Sequence, residues 1–441
     1  MLTRPKLPYK IRDRHIFIPG ATGQGKSTLI HFMVCQDIKN GAGVCVIDPK
    51  GDLVKQLIHW IPENRVEDTI YLDLNTPIPL DFMSYSNPDA KDALVGDLKY
   101  ILTRGESTEH APLMNAILDD LIYTLFDAND NPKIPAELRA TFIDIYEFLE
   151  NEERRKEILH FVTDAKLKRK WLNDFPNPKD RRPVISRMTP FVRNKSLLTL
   201  LGTPEPRLNI ADCMNNRKVL LVDLGGVSSA KIVYGSLLVS RIQQAAFARH
   251  SIPKEKRIPF FLYVDEFENF QTSSFDKIIS QARGYRLCLT VGCQWLSQLR
   301  KEIEDALFTV STYLIFALTE KDSKKFKALM RPYDTDALVG LRQGEAFYII
   351  NKKSPILVRT PPPAPHTSKV GRKSFAKEII ENTVQKYGAH SAEIGKKRTI
   401  VADHCAHEKA PASLNDDDAI EPTTGPIKDI PSHGSKDSRT P

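Results

Sequence analysis

The sequence predicts an α/β protein: a doubly wound, mostly parallel sheet with a phosphate-binding loop, split by an all-helical insertion and followed by a disordered C-terminal tail. Three observations carry this. Short, continuously apolar runs, the mark of strands buried on both faces, alternate with segments of helical periodicity. The first such run leads into GATGQGKS at residues 20–27, which fits G-x-x-x-x-G-K-[ST] with a strand before it and a helix after it. From about residue 90 to 201 the strand-like runs stop and long helical periods replace them.

Ile16, Phe17 and Ile18 form the opening strand. Gly20, Gly23 and Gly25 let the next turn curl so that successive N–H groups face a polyphosphate. Ala21, Thr22, Gln24 and Thr28 complete the cradle, and the following helix adds its positive end. Lys26 is spaced to reach the β- and γ-phosphates, and the Ser27 hydroxyl to ligate Mg²⁺. A glycine-rich turn that serves only as a helix entry is the plainer alternative. Helical spacing through residues 27–39 ends at Asn40-Gly41, a natural stop. GVCVI at 43–47 reads as a buried strand that runs into DPKGDL, where Pro49 and Gly51 force a turn at the sheet's C-terminal edge. A helix to Trp60 and a strand at 69–72 continue the alternation.

In the helical stretch, periods at 94–102, 113–125, 138–149 and 158–172 are punctuated by Pro112, Pro135, Pro176, Pro178 and Pro183. Its second half is rich in Lys and Arg with Trp171 and Phe175 interleaved, a mixture suited to phosphate backbones and stacked bases. A solvated helical face with its aromatic rings in the core is the competing reading.

The sheet resumes with KVLLVD at 218–223, a helix through 234–247, and PFFLYVDE at 259–266. Two carboxylates at the end of a buried strand are costly unless paired or bound to a cation. Beside a phosphate loop, Asp265 is placed to hold the Mg²⁺ shell and Glu266 to take a proton from water. This requires the strands before Lys26 and before Asp265 to lie next to each other. A helix at 275–285 leads to LCLTVGCQ at 287–294, a strand closed by Gln294, whose amide is suited to sensing a γ-phosphate. A strand at 313–317, a helix at 321–330 and strands near 347–350 and 356–358 follow. PPPAP at 361–365 is a stiff linker before an amphipathic helix at 375–387. The expected domains are therefore 1–88 and 206–360 for the two parts of a nucleotide-binding domain, 89–205 for the insertion, and 361–441 for linker, helix and tail.

Over 441 residues the net charge is +8, which points to an acidic partner, nucleic acid first. Six scattered cysteines without a C-x-x-C pair fit buried thiols in the cytoplasm. Neither a signal peptide nor an apolar run of about 18–20 residues is present, so no membrane anchor of its own is expected. HCAH at 404–407 has metal-ligating residue types but lacks a second half-site.

Together these residues resemble the HerA/FtsK superfamily of P-loop motors, in particular type IV secretion coupling proteins of TraG/TraD type. The resemblance spans roughly residues 14–360. Its marks are Arg14-His15, GATGQGKS, DPKGDL, the helical insertion, YVDEF, and ARGYRL followed by QWLSQL. It implies a RecA-like hexameric ATPase that uses ATP and Mg²⁺ and pumps DNA through a central pore. It also implies that Arg283 reaches the neighbouring subunit's nucleotide, that Gln294 is the sensor, and that Arg14 is a second interface arginine. Relaxase or secretion-channel proteins are the implied partners. Typical coupling proteins begin with transmembrane helices and none is read in this sequence, so cytoplasmic placement is expected, either with recruitment to the inner membrane through partners or as a motor with no secretion role. An ATPase acting on protein and a nucleotide-gated switch are the alternatives.

Overall fold

The computed structural model describes residues 9–103, 112–205, 207–226, 228–364 and 373–388, all within one compact unit. The expected disordered tail, the HCAH cluster and Pro365 lie outside the described residues. Nine strands form one sheet: β1 (Ile16–Pro19), β2 (Gly43–Asp48), β3 (Thr69–Leu72), β4 (Val219–Asp223), β5 (Phe260–Val264), β6 (Leu287–Cys293), β7 (Thr312–Ile315), β8 (Glu345–Ile350) and β9 (Ile356–Arg359). Their order is β3-β4-β2-β5-β6-β1-β7-β8-β9. The seven from β3 to β7 are parallel, while β8 and β9 pair antiparallel at one edge. The turn joining β8 to β9 is too short for a parallel crossover, so it can only make a hairpin.

One expectation needs correction: β1 and β5 are not neighbours. β6 lies between them, with Phe17 opposite Val291 on one side and Tyr263 opposite Thr290 on the other. Crossover order is decided by how the connecting helices pack on the two faces, and no local pattern encodes that. Register still aligns the strand ends, with Pro19 opposite Cys293 and Asp48 opposite Asp223. The segments after β1, β2, β5 and β6 therefore all emerge at the same edge.

Alternating side chains feed two cores. Ile18, Val46 and Tyr263 pack under the helices Lys26–Lys39, Asp52–Leu57 and Ala376–Tyr387. Phe17, Ile47 and Val222 face the other side, under the helices Pro88–Thr103, Ser229–Phe247 and Ser273–Gln281. The second core runs without a break into the insertion through Leu121, Phe148 and Met188.

The stretch from Pro88 to Gly202 is helical, as the periodicity requires, but two of its periods divide. The 138–149 period becomes a short 3-10 turn at Ala136–Leu138 and a separate helix at Asp144–Glu150. Asp144 accepts from the Thr141 N–H (2.6 Å) and hydroxyl (2.9 Å), which ties off the loop between them. The 158–172 period breaks before Asp164, whose carboxylate caps a new helix by accepting from Lys166 N (2.8 Å) and Leu167 N (3.1 Å). Pro183, read as punctuation, sits inside the helix Pro178–Arg193. The helix expected at 321–330 shrinks to Glu320–Ser323 and a 3-10 turn at Lys324–Phe326.

The aromatic rings of the basic stretch turn inward. Trp171 is buried, with its indole N–H donating to Thr124 Oγ1 at 2.7 Å, so it is a core residue and not a base-stacking platform. Phe175 is covered by Arg155 and Arg181. At the far edge of the sheet the helix Ala376–Tyr387 packs on β3, and the Tyr71 N–H donates to Thr383 Oγ1 at 3.2 Å.

Candidate active site

The loop after β1 is shaped by backbone needs that only glycine meets at three points. A Cβ on Gly20 would sit 2.5 Å from Phe316 Cβ, and Gly23 and Gly25 have φ of +75° and +113°. The Gly20 N–H donates to Cys293 O (3.1 Å) and the Ala21 N–H to Ala317 O (2.8 Å), which seats the loop between β6 and β7. From above, Gly344 N donates to Gln24 O (3.0 Å) and Gln343 Nε2 to Gly23 O (2.8 Å). Lys26 begins the helix and folds its ammonium back onto Gly20 O (2.7 Å) and Ala21 O (2.9 Å). Burial lowers its pKa, opposed by the nearby charges of Asp265 and Glu268.

Across the edge, the Ser27 hydroxyl donates to Asp265 Oδ2 at 2.5 Å. Ser27 and Asp265 therefore meet although β6 lies between their strands. Asp265 is fully buried, and burial pushes its pKa up, opposed by the Ser27 hydrogen bond. A hydroxyl and a carboxylate form the hard-oxygen pair that Mg²⁺ accepts when phosphate oxygens and waters complete its shell. Among the described residues no group of three or more His, Cys, Asp or Glu side chains gathers for a metal.

Glu266 follows in the left-handed region at φ +45°, ψ +49°, uncommon for a residue with a side chain. Its N–H donates to Asp265 Oδ1 (3.0 Å), and its carboxylate pairs with the Lys50 ammonium. That pairing raises the pKa of Lys50. Lys50 belongs to the turn after β2, which is built around Asp48. Asp48 accepts from the N–H groups of Lys50 (3.0 Å), Leu53 (2.7 Å) and Val54 (3.2 Å), and burial pushes its pKa up to about 6. Gly51 makes the turn possible. At φ +87°, a Cβ there would lie 2.0 Å from Asp223 Oδ1. Gly51→Ala is accordingly expected to destabilise the fold by about 2–3 kcal/mol, read as a lower melting temperature.

Lys26, Ser27, Thr28, Asp265, Glu266 and Gln294 line one cleft of about 430 Å³, together with Thr22, Gly23, Asp48 and Lys50. Gly20, Ala21, Gln24 and Gly25 shape the loop behind it. The sequence reading missed Glu268, whose carboxylate accepts from the Gln294 N–H at 3.0 Å and fixes the end of β6. Burial raises its pKa. Its signal was present in the E-F-E run after β5, but the partner 26 residues away was not visible. Pro363 and Ala364, read only as linker, also border the cleft.

Arg283 and Arg14 lie elsewhere. They stand just before β6 and β1, at the strands' N-terminal edge, opposite the cleft. Arg283 is 55% exposed and pairs loosely with Asp13 at 3.6 Å.

A phosphate cradle and an opposed hydroxyl–carboxylate pair at the C-terminal edge of a parallel sheet define a P-loop nucleotide-binding protein. The chain belongs to the family described as helicase HerA, central domain, whose model matches residues 7–242. A second model, described as the TraM recognition site of TraD and TraG, matches residues 259–326. The fold is that of plasmid coupling protein TrwB in complex with a non-hydrolysable ATP analogue (TM-score 0.60, 15% identity, covering 82% of this chain and 88% of that one). TrwB with ADP and Mg²⁺ matches at TM-score 0.58 and 14% identity, over 82% and 88% of the two chains. VirB4 of Thermoanaerobacter pseudethanolicus matches at TM-score 0.54 and 17% identity, over 80% and 90%. No curated protein sequence matches the chain.

Proposed function

We propose that this protein is an ATP-hydrolysing motor that moves DNA, working as a ring of subunits, a hexamer, in a conjugation-type transfer system. The observation that carries this is the meeting of Lys26, Ser27, Asp265, Glu266 and Gln294 in one cleft, with Arg283 exposed on the opposite edge. Ser27 and Asp265 would hold Mg²⁺, whose contribution there is to neutralise the triphosphate. Lys26 leaves its two loop carbonyls for the β- and γ-phosphates. Glu266 accepts the proton of the attacking water, and the Gln294 amide faces the γ-phosphate position. Arg283 completes the site of the adjoining subunit, which makes assembly a condition of turnover. The family membership and the likeness to TrwB, described as a plasmid and conjugative coupling protein, support this reading.

DNA as the track is supported by the net charge and by exposed Lys166, Arg169, Lys179, Arg182, Arg193 and Lys195 on the insertion. Placement beside an inner-membrane channel, through channel or relaxase partners, belongs to the same reading; among the described residues no helix is long and apolar enough to cross a membrane. A protein cargo is the second reading. It is favoured by the neutralisation of part of the basic stretch, where Arg154 pairs with Asp144, Lys170 with Asp120 and Arg181 with Glu150.

DNA is expected to raise steady-state ATP turnover about tenfold at low salt, with the effect fading steeply as salt rises because phosphate contacts release counterions. Turnover indifferent to both single- and double-stranded DNA would favour the protein cargo.

A further inference from the structure

The pairing with Lys50 ties the carboxylate read above as the base to a cation at the rim of the same cleft. In strand order β2-β5-β6-β1, the turn carrying Lys50 follows β2 and the phosphate loop follows β1. Glu266 follows β5, between them. Its carboxylate is held by Lys50, a residue of the turn after β2, and no hydrogen bond or ion pair among the described residues joins it to the phosphate loop. At ordinary strand spacing β2 and β1 stand roughly 14 Å apart. Asp265, one residue earlier, points the other way, to Ser27.

The backbone of Glu266 is clamped. Its N–H donates to Asp265 Oδ1, and its carbonyl accepts from both Asn269 N and Asn269 Nδ2, each at 3.0 Å. Moving the carboxylate toward the phosphate side therefore needs only a side-chain rotation. What opposes that rotation is the Lys50 ammonium, which is itself 52% exposed at the cleft rim and open to competing anions.

We propose that Lys50 is a positioning residue that latches Glu266 in an idle orientation, so that hydrolysis stays low until the ammonium is drawn off. This rests on the reading of the chain as a DNA-stimulated ATPase. Lys50 touches no reacting atom in this account. It acts through Glu266 and sets the ratio of idle to stimulated turnover.

The test is steady-state hydrolysis by the full chain with and without DNA, comparing wild type, Lys50→Met and Lys50→Arg, with melting temperature and ATP affinity as folding controls. For Lys50→Met the latch predicts DNA-free kcat raised about three- to tenfold, the strength of a partly exposed ion pair. The KM for ATP and the DNA-stimulated kcat should stay within about twofold, and Lys50→Arg should return the DNA-free rate to the wild-type value. A Lys50→Met protein with unchanged DNA-free kcat overturns the latch. So does one with lowered kcat or a strongly raised KM, either of which would make Lys50 a phosphate ligand, and so does failure to fold. A wild-type chain without turnover overturns the ATPase reading itself. A wild type that turns over, beside a Lys50→Met variant that does not speed up, overturns the latch alone.

Discussion

Glu266→Gln is expected to bind ATP nearly as tightly as wild type and to hydrolyse it about 100- to 10,000-fold more slowly. The amide keeps the size of the side chain and its place after β5 but cannot take a proton from water. Ser27 and Asp265 remain joined at 2.5 Å, so the seat for Mg²⁺ is untouched and binding survives. Lys26→Ala should fail in the other way. Its ammonium is the buried cation of the phosphate loop, held 2.7 Å from Gly20 O and ready to exchange that carbonyl for phosphate oxygens, so its loss weakens nucleotide binding as well as turnover. Fluorescent-nucleotide titration beside phosphate release separates the two. Comparable turnover by Glu266→Gln and wild type would remove Glu266 as the base.

Arg283→Ala is expected to bind ATP and yet abolish turnover, because in the proposed ring its guanidinium would serve the adjoining subunit's site. β6 alone is seven residues long, so Arg283 stands roughly 23 Å from its own phosphate loop, beyond the reach of its side chain. Mixing Arg283→Ala with Lys26→Ala subunits should restore activity, since an intact site forms wherever the first kind meets the second. In a random equal mixture that is roughly a quarter of the interfaces, each worth what a wild-type site gives. Failure of demonstrably mixed rings to recover any turnover would falsify the shared site.

The parts legible in the sequence are those dictated by neighbours along the chain. The phosphate loop, β2 and β3 follow from glycine spacing and short unbroken apolar runs, and their observed bounds differ from the reading by a residue at most. What escaped depends on distant partners. The insertion of β6 between β1 and β5 reflects helix packing on both faces. The helix breaks at Asp144 and Asp164 arise because a side chain outcompetes the periodicity by hydrogen-bonding backbone N–H groups. Trp171 looks like a surface ring among cations until Thr124, 47 residues away, is seen to accept from its indole. Lys50 had no evident role because its partner lies 216 positions on, and Glu268 was missed for the same reason.

The Tyr71 N–H, answered by the Thr383 hydroxyl, has a consequence for anyone shortening this protein. Cutting before residue 376 would strip the cover from β3 and leave an apolar, hydrogen-bond-hungry rim as a template for strand addition from other molecules. Such fragments would precipitate although their nucleotide cleft is complete, whereas versions ending after Tyr387 keep that rim sealed.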